Sequence, residues 1–396
     1  MSKQYTHIDL FAGPGGICTG FKAAGIRTIG AVEYVDSCVE TYSVNHPEVV
    51  VLNKDVRDVS DFDITNILTK NKLVNVDVVT AGFPCETFST AGSKSRVYND
   101  HRNFLYKEAI RIADLAGARI LMLENVPAFM SKRLSKDSTV RIMDLLIQDL
   151  KDAGYKYIDH DVLHASDYGV PQNRTRFIMM ASKEIIIEKG MFNGGKSSKK
   201  ITIEEAISDL PEILHDQTSS VYSTKPQNTY QKMLRSVGKW TVSANDKTNN
   251  ELSYHITPKH RPGTIERFKL IKQGENLKDL FNKLSDNKIK KLQEAKILPK
   301  KWFIQRNQRL VPTSQSPTVT SHCLDELVHP TLNRGLSVRE VARLQSFPDH
   351  YDFRGGPLIC PHIYKTQDKY EQIGDAVPPL LAKHLGSSIV SILDNQ

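Results

Sequence analysis

No two cysteines of this chain stand in a CxxC pair. The five cysteines, Cys18, Cys38, Cys85, Cys323 and Cys360, are odd in number and scattered. That pattern argues against a disulfide framework or a zinc site, so no metal is expected, and it fits a reducing cytoplasm. No stretch approaches the roughly 18 uninterrupted apolar residues of a membrane span, so no membrane partner is expected. The N-terminal run MSKQYTHIDLFAG leads directly into a strand pattern and lacks the regions of a signal peptide. Internal repeats are absent. Acidic residues are in the minority, 45 against 53 Lys and Arg, which leaves a net charge of +8 and a pI of about 9.0. A basic balance suits a polyanionic partner, although alone it is weak evidence. The 396 residues, 39% hydrophobic and 25% charged, describe an ordinary soluble chain long enough for two domains.

The stretch around which the rest is organised is Thr80-Ala81-Gly82-Phe83-Pro84-Cys85-Glu86-Thr87-Phe88-Ser89. The valine-rich run before it, Val74 to Thr80, reads as a buried parallel strand. Gly82 and Pro84 punctuate a sharp loop and place a lone thiol just past the strand's carboxyl end, where open α/β sheets hold their ligands. From this window alone an inert buried thiol and a nucleophile are equally open. The run Ala91-Gly92-Ser93-Lys94-Ser95-Arg96 that follows reads as a mobile surface loop.

Upstream, the strand pattern His7 to Phe11 meets Ala12-Gly13-Pro14-Gly15-Gly16 and then a helix pattern, Ile17 to Ala24. Strand, glycine-rich turn and helix make the nucleotide-binding entry of a doubly wound fold, where the backbone approaches a ligand closely. A second strand pattern ends at Glu33, about 20 residues on, where a ribose hydroxyl is usually held. A third unit ends at Asp55 and Val56. Further on, the strand Ile120 to Leu123 ends in Glu124-Asn125-Val126-Pro127, and Val140 to Leu150 has helical spacing. Strand candidates at His160 to His164 and Phe177 to Ala181 flank Gln172-Asn173-Arg174-Thr175-Arg176. Alternate arginines on an extended segment point the same way.

Taken together, Asp9 to Gly16, Gly82-Phe83-Pro84-Cys85, Asp100 to Leu105, Glu124-Asn125-Val126, Gln172/Arg174/Arg176, Leu336 to Pro348 and Gln372 to Pro379 resemble, in order, the motifs of the cytosine-5 DNA methyltransferase family, of the bacterial restriction-modification type. The resemblance implies an α/β fold: a doubly wound, Rossmann-like S-adenosylmethionine-dependent methyltransferase domain with a second, smaller target-recognition domain. It implies that Phe11, Gly13, Pro14, Gly15 and Gly16 line the methionine side of S-adenosylmethionine, with S-adenosylhomocysteine as product. Glu33 would hold the ribose and Asp55 with Val56 the adenine, while Pro84, Asp375, Ala376 and Val377 complete the cofactor site. Cys85 would be the nucleophile that adds to ring carbon 6 of a flipped-out cytosine and makes carbon 5 reactive. Glu124 would donate to ring nitrogen 3, and Arg174 and Arg176 would stabilise charge at the ring's carbonyl oxygen. Two residues depart from the family pattern, Glu86 and Asp375, where glutamine and asparagine are usual. A carboxylate next to a thiolate disfavours the thiolate.

Composition shifts at Gly194 to Lys200, a flexible basic linker. The expected division is a catalytic domain of residues 1–185 completed by 366–396, with a recognition domain of 186–365. The lysine-rich run Asp286 to Lys301 suits phosphate contacts. Leu336 to Pro348 reads as an amphipathic helix with Ser337 as N-cap and Glu340 at its third position. The expected partner is double-stranded DNA, a separately acting restriction endonuclease is a candidate companion, and a monomer in the cytoplasm is expected. The same chemistry on transfer RNA and a catalytically dead DNA-binding relative are the alternatives. A nicotinamide dehydrogenase is a more distant one, because FAGPGG lacks the GxGxxG spacing.

Overall fold

Short apolar runs alternate with helix-forming stretches through the first half of the chain, and they fold as strand–helix units. The computed structural model describes residues 4–84, 101–135, 137–236, 251–301, 306–360 and 365–396. The units are β1 (Thr6–Leu10), α1 (Gly16–Ala23), β2 (Arg27–Glu33), α2 (Asp36–Asn45), β3 (Val50–Asn53), α3 (Asp61–Lys70), β4 (Val78–Ala81), α4 (Tyr106–Leu115), β5 (Ile120–Asn125) and α5 (Ile142–Asp152), followed by β6 (Tyr157–His164) and β7 (Thr175–Ser182). They form one seven-stranded sheet in the order β3-β2-β1-β4-β5-β7-β6. The first five strands are parallel, and β7 runs antiparallel to both β5 and β6. The order reverses between β1 and β4, which opens a crevice at the carboxyl ends of those strands. Directly before α4 the chain makes a 3₁₀ turn, His101–Phe104.

Apolar side chains of α3, α4 and α5 cover one face of the sheet. The other face is covered by α1 and by the C-terminal helix, Pro379–Asp394. The stretch Lys369–Asp394 is long and apolar enough to cross a membrane. Its Leu381, Leu385 and Ile389 are instead buried against the sheet. A third core gathers residues from Ile203 to Ala376. It takes residues from α6 (Ile203–Ile207), α7 (Thr229–Arg235), α11 (Cys323–Glu326), α12 (Val338–Leu344) and α13 (Lys369–Asp375), while between them follow α8 (Pro262–Leu270), α9 (Leu277–Lys283) and α10 (Asp286–Glu294), of which α9 packs in a small cluster of its own. Ile185, Ile187 and Phe192 belong to the sheet core, and Tyr370, Ile373 and Ala376 to the third. The apolar cores therefore divide near 193–200 and after 376.

The α12 helix differs from the amphipathic helix expected. Ser337 and Glu340 form the capping box as expected, but every residue from Val338 to Leu344 is buried. Its Arg339, Glu340 and Arg343 point into protein and find partners there. Burial also shapes the pH response. It lowers His7 from 6.5 to about 3, and His46 and His329 from 6.5 to about 4. It raises Asp9 from 3.8 to about 8. Each depressed histidine contributes stability that is complete above pH 6.5 and lost towards pH 4. Asp9 acts oppositely: its contribution is complete below its unfolded value near 4 and is lost as pH rises through 8. Each unit of pH across such a gap is worth about 1.4 kcal/mol per group. The depressed histidines, with His260 also near 4, outweigh Asp9 below pH 6.5, and above it the carboxyls that burial raises, Asp9 and Glu33 among them, act in the opposite sense. We expect Tm to peak near pH 6.5 and fall on both sides, with Asp9→Asn flattening the alkaline limb. A thermal melt series from pH 4.5 to 8.5 checks this; an alkaline slope unchanged in the variant would refute the assignment.

Candidate functional site

The glycine-rich turn after β1 is held in left-handed backbone conformations. Phe11 has φ 55°, Gly13 φ 54° and Gly15 φ 99°. A non-glycine residue in that region carries strain, which clusters at ligand sites. The glycines have separate jobs. A Cβ at Gly13 would meet nothing within 4 Å, so this position faces open space. A Cβ at Gly15 would come to 2.7 Å of the Tyr351 hydroxyl, and one at Gly16 to 2.2 Å of the Val377 carbonyl oxygen. Gly13 thus borders an open cradle, while Gly15 and Gly16 allow close packing beneath it. Pro14 lies between them, and its carbonyl accepts a hydrogen bond from Tyr351.

Glu33, at the end of β2, reaches the same turn. Its Oε2 accepts from the Gly13 N–H at 2.8 Å, and its Oε1 from the N–H groups of Tyr34 and Val35, both at 2.8 Å. Burial pushes its pKa up, and the three N–H groups oppose that shift. A carboxylate offers about four lone-pair sites, so acceptor capacity remains. Past β3, Asp55 caps a 3₁₀ turn and pairs with Arg57 at 2.6 Å, while Val56 is buried in the sheet core. On the far side, Ala376 and Val377 are buried and Val377 sits against Gly16. Asp375 is exposed and accepts from Gln367 at 2.9 Å.

The second group of residues lies further along the same edge of the sheet. β4 runs into Gly82, Phe83 and the half-buried Pro84. Cys85 lies outside the described residues, as do Glu86 and the Ala91–Arg96 loop. The exit of β4 is firmly held: the Asn125 side chain donates to the Phe83 carbonyl at 3.2 Å, and Phe83 meets Phe129 edge-on at 5.4 Å. β4 and β5 pair with Ala81 opposite Leu123, so the next residue of each, Gly82 and Glu124, are adjacent. A Cβ on Gly82 would stand 3.2 Å from Glu124 Oε2. β7 contributes Arg176, whose Nε is 2.7 Å from Glu124 Oε1, with side chains 12% and 11% exposed.

Arg174 does not join them. Its guanidinium donates to the carbonyls of Val319 (2.6 Å), Gly374 (3.0 Å) and Ala376 (3.2 Å). β7 begins at Thr175, so the alternation of strand side chains does not extend back to Arg174, and the two arginines part company. Gln172 has a similar fastening role, bonded to Leu344, Gln345 and Val319. Asn125 is the site residue that sequence reasoning passed over; its signal was its place in Glu-Asn-Val, which was read for the acid alone. The lysine run also finds its place. α10 buries no residue, and Lys283, Lys288, Lys290, Lys291, Lys296, Lys300 and Lys301 are exposed.

Along one sheet edge the order is therefore Asp55, Glu33, the glycine turn, the β4 exit, Glu124 and Arg176. Comparison with known proteins concerns the chain as a whole. A family model described as C-5 cytosine-specific DNA methylase matches residues 5–391. The type II methyltransferase M.DdeI of Desulfomicrobium norvegicum is 33% identical over 394 residues, covering 98% of this chain and 89% of that protein. The type II methyltransferase M.XorII of Xanthomonas oryzae is 30% identical over 396 residues, covering 98% of this chain and 84% of that one. Among solved structures, a putative DNA modification methyltransferase encoded within an E. coli prophage superposes with a TM-score of 0.72. It is 24% identical, and the match covers 99% of this chain and 100% of that one; this likeness speaks to the fold.

Proposed function

The chain belongs to the C-5 cytosine-specific DNA methylase family, and on that premise we propose that the sheet edge from β4 to β7 receives a cytosine turned out of duplex DNA. The observation that carries this reading is the Glu124–Arg176 contact of 2.7 Å, set beside the strand exit that leads to Cys85. Ring nitrogen 3 and the carbonyl oxygen on ring carbon 2 are neighbours in cytosine, and a carboxyl and a guanidinium in contact match that pair. Glu124 holds a proton at nitrogen 3, and Arg176 donates to the carbonyl oxygen as charge develops. The Cys85 thiolate adds to ring carbon 6, which makes carbon 5 nucleophilic, and leaves once the carbon-5 proton has gone. Arg174 has a different role: it ties the third core to the sheet.

The family is S-adenosylmethionine-dependent, and the residues present fit that group. The open side of Gly13 leaves room for close approach, and Glu33 retains acceptor capacity for ribose hydroxyls. Phe11, Pro14, Gly15, Gly16, Pro84, Asp375, Ala376 and Val377 would border the rest, with Val56 and Asp55 at the adenine end. When bound, S-adenosylmethionine supplies an electrophilic methyl group. Exposed lysines of α9, α10 and the segment after them suit DNA phosphates, while other side chains of the third core choose the sequence. A cognate endonuclease acting separately, and action as a monomer, complete the reading. Transfer of a radiolabelled methyl group to duplex DNA and not to transfer RNA tests it; label on transfer RNA alone would overturn it.

Glu33 yields a separate expectation. Glu33→Ala removes the ribose acceptor and releases the Gly13 N–H. Loss of a charge-assisted hydrogen bond costs about 1.5–3 kcal/mol, so cofactor affinity should fall roughly ten- to hundredfold. DNA affinity should change far less, because Glu33 is four strands from Arg176 in the sheet. Calorimetry with S-adenosylmethionine, and DNA binding measured in parallel, separate the two. Equal cofactor affinity in variant and parent would remove Glu33 from the site.

A further inference from the structure

The underside of the glycine turn is closed by three buried polar side chains, one from the helix that follows the turn and two from further along the chain. Thr19 comes from α1, His46 caps the end of α2, and Tyr351 follows α12 in the third core. All are less than 10% exposed. The Tyr351 hydroxyl donates to the Pro14 carbonyl. The Thr19 hydroxyl donates to the Gly15 carbonyl at 2.7 Å. Each hydroxyl has a single hydrogen, so each can only accept from its remaining neighbour. That neighbour is shared: His46 Nε2 lies 3.2 Å from the Thr19 oxygen and 3.3 Å from the Tyr351 oxygen. The proton of His46 must then sit on Nε2, bridging both hydroxyls. Burial holds His46 near 4, which keeps the ring neutral, as this tautomer requires.

The Pro14 carbonyl is thereby held inward by Tyr351, and the Gly15 carbonyl, which accepts from the Thr19 N–H at 3.0 Å as the first acceptor of α1, is held by the Thr19 hydroxyl as a second donor. With these carbonyls turned inward, no backbone oxygen of theirs competes on the open side of the turn. A Cβ at Gly15 would collide with the same Tyr351 and His46 atoms, so the fit is tight as well as bonded. We propose that Tyr351, acting through this clamp, is a positioning residue that sets the cofactor turn from the third core. This rests on the reading of the turn as the S-adenosylmethionine site.

Tyr351→Phe removes one hydroxyl and keeps the ring packing against Phe347 and Phe353, at 4.8 and 5.2 Å. Thr19→Val removes the second hydroxyl at nearly constant volume. His46→Gln keeps an N–H donor in place of the imidazole and serves as the conservative rescue. Calorimetry with S-adenosylmethionine should show affinity weakened at least fivefold in Tyr351→Phe and in Thr19→Val, and less in His46→Gln. The cofactor KM should rise by more than any change in kcat, and DNA affinity should stay within twofold. Cofactor affinity within twofold of the parent in either folded variant overturns the clamp, as does an equal loss of DNA and cofactor binding. If Tyr351→Phe fails to fold, Thr19→Val decides. Glu33→Ala is the control: if it binds cofactor like the parent, the cofactor reading itself fails, whereas loss there with normal binding in Tyr351→Phe removes only the clamp.

Discussion

Replacing Cys85 with serine is expected to abolish methyl transfer, by at least about a thousandfold, the scale on which loss of a nucleophile falls in other enzymes. The chemistry needs an anion at neutral pH. A thiol of pKa about 8.5 supplies a few per cent of thiolate at pH 7, and a nearby cation supplies more; a hydroxyl remains un-ionised. The exit of β4, which leads into Cys85 in the sequence, supports the same result. β4 is fixed through Phe83 by the Asn125 side chain, and the next described neighbour across the sheet is Glu124, itself paired with Arg176. Cofactor affinity should be nearly unchanged, since Glu33 and the glycine turn lie on β2 and after β1. The measurement is single-turnover transfer of labelled methyl to DNA with parent contamination excluded. Turnover within tenfold of the parent would remove Cys85 as nucleophile.

Much of this edge was legible in the sequence because its determinants are local. An apolar run ending in Gly82 and Pro84, or in Glu33, signals a strand and its exit within a few residues. The same holds for the turn of Gly13 to Gly16, whose backbone demands are met inside the segment. What could not be read depends on partners far away in sequence. Arg174 is fastened by carbonyls of residues 319, 374 and 376, and nothing near it distinguishes it from Arg176. α12 has the charge pattern of a half-exposed helix, yet Asp209 and Ser253 satisfy its arginines from within. Tyr351 lies hundreds of positions from the turn it holds. Charged residues in a helix suggest a solvated face until the fold supplies their counter-charges.

The largest loss of stability is expected from that buried charge set. Arg343 is wholly buried, and it donates to both oxygens of Asp349, at 3.0 and 2.7 Å, and to both oxygens of Asp209. Arg235 also bonds Asp209, at 3.1 Å, and the Tyr222 hydroxyl bonds Asp349, at 2.6 Å. Arg343→Met preserves bulk but leaves two buried carboxylates short of their main cation. Removing one partner of a buried pair costs about 3–5 kcal/mol, because the remaining charge stays in a poor solvent. Acid offers a check with a definite sign. In the parent, Arg343 lowers Asp349 below the usual carboxylate range against its burial. That contribution is complete above the unfolded value near 4 and is lost as pH falls through the folded one. In Arg343→Met the same burial, opposed only by Arg339 and the Tyr222 hydroxyl, raises Asp349, so it takes up a proton earlier and relieves the strain. The gap in stability between parent and variant should therefore be widest near pH 7 and narrow towards pH 4.5. Urea unfolding at both pH values measures it. A loss below about 1 kcal/mol at pH 7, or a gap that widens on acidification, would show that Arg343 does not hold this core together through its charge.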